Sequence, residues 1–141
     1  MERMSDSQWR NFITAGTRTG KLAVTLPDGR PHVTPVWFLL DEDAVVFSTA
    51  EHSLKGKALA RDPRAAMCVD DQEPPYSYVL VKGTATLSLD LEEMLAWATE
   101  IGRRYMGDDR ALEFGTRNAA PGECLVRLHI DEVVAHHAVT T

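Results

Sequence analysis

Residues 21–49 constrain the fold more than any other part of the chain. Leu22, Val24 and Leu26 alternate with more polar neighbours, Pro27-Asp28-Gly29 follows, and an apolar tract runs on to Leu40. Asp41-Glu42-Asp43 then leads into a third apolar run over residues 44–49. Period-two alternation punctuated by Pro, Asp and Gly predicts a β-hairpin followed by a third strand. Pro31 and Pro35 both fall in the second strand. Proline has no N–H to give a ladder, so part of this strand must lie at an edge or a bulge. Pro35 stands close to Trp37 in an otherwise apolar run, the pattern of a strand open to a ligand.

The remaining pattern adds strands first and helices late. Residues 8–15 place Trp9, Phe12 and Ile13 on one helical face. Residues 53–62 predict a short helix, capped by Ser53 and stopped by Pro63. Residues 64–69 and 76–89 read as strands, the longer one with Val79, Val81, Ala85 and Leu87 on one face. Asp90-Leu91-Glu92-Glu93 has capping-box spacing ahead of the stripe Leu91, Met94, Leu95, Ala98, Ile101 and Tyr105, which Gly107 ends. Arg103-Arg104 is expected to be a solvated helix end. Leu91, Met94 and Trp97 are expected in the core or in a dimer contact. Residues 108–118 predict another helix, and residues 123–130 and 132–136 two closing strands. Six to seven mostly antiparallel strands with peripheral helices describe a mainly β, α+β small barrel.

At 141 residues the chain is long enough for one domain, spanning 1–141, with a core of its own. No run of 18 apolar residues occurs, so no membrane-spanning helix is expected. The opening residues carry no apolar signal core, and Cys68 and Cys124 lie in apolar runs without CxxC spacing. Both read as buried thiols, so a cytoplasmic protein is expected. Fifteen basic against 21 acidic residues give a net charge of −6, which disfavours nucleic acid as a partner. The five histidines show no metal-ligand spacing, so no metal is expected. GxSxG, P-loop and post-strand GxGxxG motifs are absent, which removes the mechanics of the common hydrolases, NTPases and Rossmann enzymes.

Charge reverses locally. Between residues 53 and 64, Lys55, Lys57, Arg61 and Arg64 face only Asp62. Lys55 and Lys57 fall in the first turn of a helix, where the dipole opposes positive charge unless an anion binds. Ser48, Thr49 and Ser53 can add hydroxyls to such a site. The same residues also suit a solvated lysine-rich turn with Ser53 as a plain cap.

Taken in order, Gly29-Arg30-Pro31-His32-Val33-Thr34-Pro35-Val36-Trp37, Val46-Phe47-Ser48-Thr49, Ser53-Leu54-Lys55, Leu59-Ala60-Arg61-Asp62-Pro63-Arg64 and Tyr78-Val79-Leu80-Val81-Lys82-Gly83-Thr84-Ala85 resemble the pyridoxamine 5′-phosphate oxidase-like split β-barrel superfamily. The likeness is greatest to its coenzyme F420-dependent branch, which includes deazaflavin-dependent biliverdin reductases. The resemblance implies a homodimer with two cofactors in grooves between the barrels. It implies that Ser48, Thr49, Ser53 and Lys55 hold the cofactor phosphate, with Lys57 at the next basic position. It also implies that Thr34, Pro35, Val36 and Trp37 lie along the tricyclic ring. The FMN-dependent oxidases of the superfamily carry arginine at the positions of Thr34 and Leu54 and lysine at that of Leu39, all neutral here. Their C-terminal Trp/Arg substrate elements have no counterpart beside His136-His137, so the vitamin B6 reaction is not expected.

The expected activity is therefore hydride transfer from reduced coenzyme F420 to a small organic acceptor. In such chemistry the cofactor carries the redox step and the protein orients it. No side chain is assigned as catalytic acid or base. An FMN-dependent oxidoreductase and a non-catalytic flavin- or deazaflavin-binding protein are the alternatives.

Overall fold

The computed structural model describes residues 2–140. Eight strands form one antiparallel sheet: β1 (Glu2–Arg3), β2 (Gly20–Thr25), β3 (Pro31–Val36), β4 (Leu39–Asp41), β5 (Ala44–Ala50), β6 (Arg64–Asp70), β7 (Tyr78–Ser88) and β8 (Glu123–His137). Four helices accompany them: α1 (Asp6–Thr14), α2 (Leu54–Arg61), α3 (Leu91–Met106) and α4 (Ala111–Asn118). The sheet runs β3-β2-β6-β7-β8-β5-β4, with β1 added to β8. This is the mainly β barrel with peripheral helices that the patterning predicts.

Three strand boundaries differ from expectation. The long second strand divides into β3 and β4 around Trp37-Phe38, beside Pro35. The two closing strands are one, because the chain passes through Asp131 as a bulge: Lys82 pairs with Glu132 and Gly83 with Ile130. A Cβ at Gly83 would collide with the His129 carbonyl, so glycine lets β7 and β8 close up beside the bulge. β1 is too short for any periodicity to reveal.

Inward-facing residues of both halves fill the barrel. Leu22, Val36, Val45, Phe47, Met67, Val79, Val81, Val126 and Leu128 are buried there, joined by Trp9 and Ile13 of α1. Ser5 caps α1 with a reciprocal capping box to Gln8. A second small cluster, Val46, Met94 and Leu125, lies on the outer face of the sheet beneath α3. Both faces of β5 are thus covered, which explains its nearly continuous apolar sequence.

Helix termini correct two sequence readings. Asp90 accepts the Glu92 and Glu93 N–H groups, as a cap should. The return arm of the box is missing, since Ser88 Oγ accepts the Asp90 N–H and donates to Glu93. Arg104 is not a solvated helix end. Its guanidinium donates to the carbonyls of Ile13 (2.7 Å), Gly16 (2.9 Å) and Phe38 (2.7 Å). The last turn of α1 contains no basic residue; Arg104 brings a cation to those orphan carbonyls from the far end of the chain. In α3, Met94, Ala98 and Ile101 are buried, whereas Leu91 and Leu95 remain exposed. Cys124 is buried as expected, but Cys68 only partly so.

Candidate functional site

Alternation along β5 sends Val45 and Phe47 into the barrel and turns Val46 and Ser48 outward beneath α3. The strand then ends against α2. Ser53 caps that helix, accepting the Gly56 N–H at 3.1 Å, and lies 3.2 Å from the Thr49 hydroxyl. A Cβ at Gly56 would strike the Ala50 and Glu51 carbonyls, so glycine allows the first turn of α2 to sit directly on the strand end. This packing brings Lys55 to the same place as Ser48 and Thr49.

An open cleft of about 420 Å³ lies there, within the range usual for small-molecule sites. Pro35, Val36 and Trp37, from the end of β3 and just beyond it, line it together with Ser48, Thr49 and Lys55. Ala98 and Ile101 of α3, Asn118 and Glu123 also line it. Six of the nine residues expected at the site thus come together.

The other three do not line the cleft. Thr34 pairs with Leu22, whose side chain is in the core, so the pleat turns Thr34 toward the barrel and leaves its buried hydroxyl without a partner. Ser53 acts as the helix cap, supporting the cleft from behind. Lys57 is exposed, two residues along α2 from Lys55 and therefore on another face of the helix. The basic stretch is not one patch either. Arg61 donates to the Thr25 carbonyl, and Arg64 pairs with Asp62 at 2.8 Å.

Two features fit an anionic ligand. Ser48 Oγ is buried with no hydrogen-bond partner. Among the described residues the Lys55 ammonium forms no ion pair. An anion between them would satisfy both, assisted by the free N–H groups of the first turn of α2.

Sequence reasoning assigned no site role to the aromatic residues that support Trp37 or to Glu123, which lines the cleft. Trp37 stacks on Tyr105, ring centroids 5.2 Å apart, and meets Phe114 edge-on at 5.4 Å. The Tyr105 hydroxyl donates to the Arg18 carbonyl at 2.8 Å, and burial raises its pKa. Glu123 pairs with Ala50 in the sheet, and burial raises its carboxyl pKa against the opposing charge of Arg117. Only the tertiary fold brings α3 and the start of β8 to this place. No local motif marks Tyr105 or Glu123. Among the described residues, no group of three His, Cys, Asp or Glu side chains gathers as a metal site would require.

An antiparallel barrel with a lateral cleft between β3, β5 and a covering helix defines a split β-barrel protein. The chain belongs to the pyridoxamine 5′-phosphate oxidase family, whose profile matches residues 5–137. A curated relative, the pyridoxine/pyridoxamine 5′-phosphate oxidase of Alkalilimnicola ehrlichii, is 35% identical over 98 residues, covering 65% of this chain and 50% of its own. The chain thus spans about half the length of that relative. Among solved structures, a conserved hypothetical protein from Mycobacterium tuberculosis superposes with a TM-score of 0.80 at 25% identity, covering 94% of this chain and 87% of its own. A structure described as an F420 reductase superposes with a TM-score of 0.69 at 22% identity, covering 87% and 94%. The family is oxidoreductase-like. No described helix is long and apolar enough to cross a membrane.

Proposed function

We propose that the chain is a coenzyme F420-dependent reductase that passes a hydride from the reduced deazaflavin to a small organic acceptor, working as a cytoplasmic homodimer. The observation that carries this reading is the anion end of the cleft: one lysine, Lys55, beside the partnerless Ser48 hydroxyl and the N-terminus of α2. Lys55 and Ser48 would hold the cofactor phosphate, and Pro35, Val36 and Trp37 would lie along the ring. When bound, the deazaflavin would supply the hydride, and the protein would orient it. The split-barrel shape accommodates such chemistry, since a structure described as an F420 reductase shares it.

An FMN-dependent oxidoreductase on the same barrel is the second reading, favoured by the 35% identity to a pyridoxine/pyridoxamine 5′-phosphate oxidase. The test is turnover of reduced coenzyme F420 against quinones, enones and tetrapyrroles under anaerobic conditions. Protein-dependent oxidation of the cofactor with any of these acceptors supports the reductase. Binding of the cofactor without turnover across the panel would favour a carrier.

A further inference from the structure

Glu123 places a carboxylate in the same cleft as Lys55 and Ser48. It opens β8 directly opposite Ala50, while Ser48 pairs with Leu125. Cross-strand partners share a face, so Ser48, Ala50, Glu123 and Leu125 all project outward on the α3 side of the sheet. Glu123 is diagonal to Ser48, a spacing of roughly 7 Å in an antiparallel pair. Its side chain lines the same cleft as Lys55. Among the described residues, neither Glu123 nor Lys55 is in an ion pair. Among the described residues the cleft therefore holds one positive and one negative charge, neither of them in an ion pair. Arg117, the nearby cation that acts on Glu123, is exposed and does not line the cleft.

We infer that Glu123 is a specificity-determining residue that makes the cleft select a singly charged phosphodiester over a doubly charged terminal phosphomonoester. This rests on the proposed binding of a phosphate-bearing cofactor and deepens it. Coenzyme F420 carries its phosphorus as a diester, with one negative charge at that position. FMN ends in a monoester, which is a dianion above neutral pH. A single lysine neutralises the first. The second brings an extra charge close to the Glu123 carboxylate, in a partly desolvated cleft where charges interact more strongly than in water. The carboxylate thus acts by repelling the wrong ligand, a common source of specificity.

The test compares the wild-type chain with Glu123→Gln, which keeps the size and hydrogen-bonding oxygen but removes the charge. Fluorescence titrations at mildly alkaline pH and fixed ionic strength use FMN, riboflavin and coenzyme F420. The FMN affinity of Glu123→Gln should rise roughly tenfold and that for F420 by about threefold or less. Riboflavin, which has no phosphate, should change less than about twofold. Equal changes for FMN and riboflavin, or no change for FMN, overturn the inference while leaving any F420 binding intact. Wild-type preference for FMN over F420 contradicts both the proposed coenzyme and the inference. Failure of all three probes to bind either protein contradicts both.

Discussion

The indole of Trp37 lies parallel to the ring of Tyr105, with centroids 5.2 Å apart and planes 3° apart. Tyr105 also holds the backbone next to Trp37, because its hydroxyl accepts the Phe38 N–H at 3.4 Å while donating to Arg18. The cleft wall is therefore braced by α3 from behind. Tyr105→Phe keeps the stack and loses the hydroxyl bonds, so it should cost about 1 kcal/mol in urea unfolding. Tyr105→Ala removes the ring as well and should cost about 3 kcal/mol or more, with a shifted tryptophan emission. Equal stabilities for the two variants would show that the stack contributes nothing.

Arg104 binds three carbonyls from two segments of the chain, around the end of α1 and the link between β3 and β4. Its guanidinium also lies over the rings of Phe38 and Tyr105. A lysine cannot span the same fork. Arg104→Lys and Arg104→Met should each lose about 2 kcal/mol or more of unfolding free energy, with little rescue by lysine. Full stability in Arg104→Lys would mean that charge alone suffices.

Lys55 and Lys57 are neighbours in sequence and should differ in function. Lys55→Ala removes a charge-assisted contact, so phosphate-bearing cofactor should bind tenfold weaker or more, a loss of about 1.5–3 kcal/mol. Lys57→Ala, off the cleft, should change affinity less than about twofold. Titration of both variants checks this, and equal losses would place the anion site elsewhere.

Burial raises the Glu123 carboxyl above its ordinary 4.5. A raised folded-state value means that the folded protein holds this proton more tightly than the unfolded chain. Stability is then greatest below the unfolded value and falls as pH rises through the folded one. Glu123→Gln, without that charge, should melt above wild type at neutral pH, and the difference should close as pH drops below about 4.5. Melting curves across this range decide the point. A pH-independent difference would separate the stability effect from the carboxyl.

What was legible in the sequence follows from how local each signal is. Ser53 as a cap, Gly107 as a stop and the strands of the β2–β3 hairpin are local features, and they read correctly. The positions of Pro35, Trp37, Ser48 and Lys55 around one cleft came from the family resemblance and the charge pattern together. Thr34 does not line the cleft, because its cross-strand partner Leu22 lies in the core and its hydroxyl turns into the barrel, a placement that residue order alone does not reveal. Lys57 stands off the cleft because the turn of the helix points residues two apart in different directions. Arg104 reads in the sequence as a solvated helix end, Tyr105 as part of the α3 stripe and Glu123 as the start of a strand, because their further roles exist only when α3 and β8 pack on segments distant in sequence. Asp131 hid a bulge, since one extra residue in a long strand looks like a break between two.

A paired fluorescence titration of the purified protein with coenzyme F420 and with FMN decides which cofactor the cleft takes. F420 should bind tightly and FMN more weakly by about tenfold or more. Tighter binding of FMN than of F420 would contradict the proposed coenzyme, and would assign the chain to the FMN-dependent branch of its family.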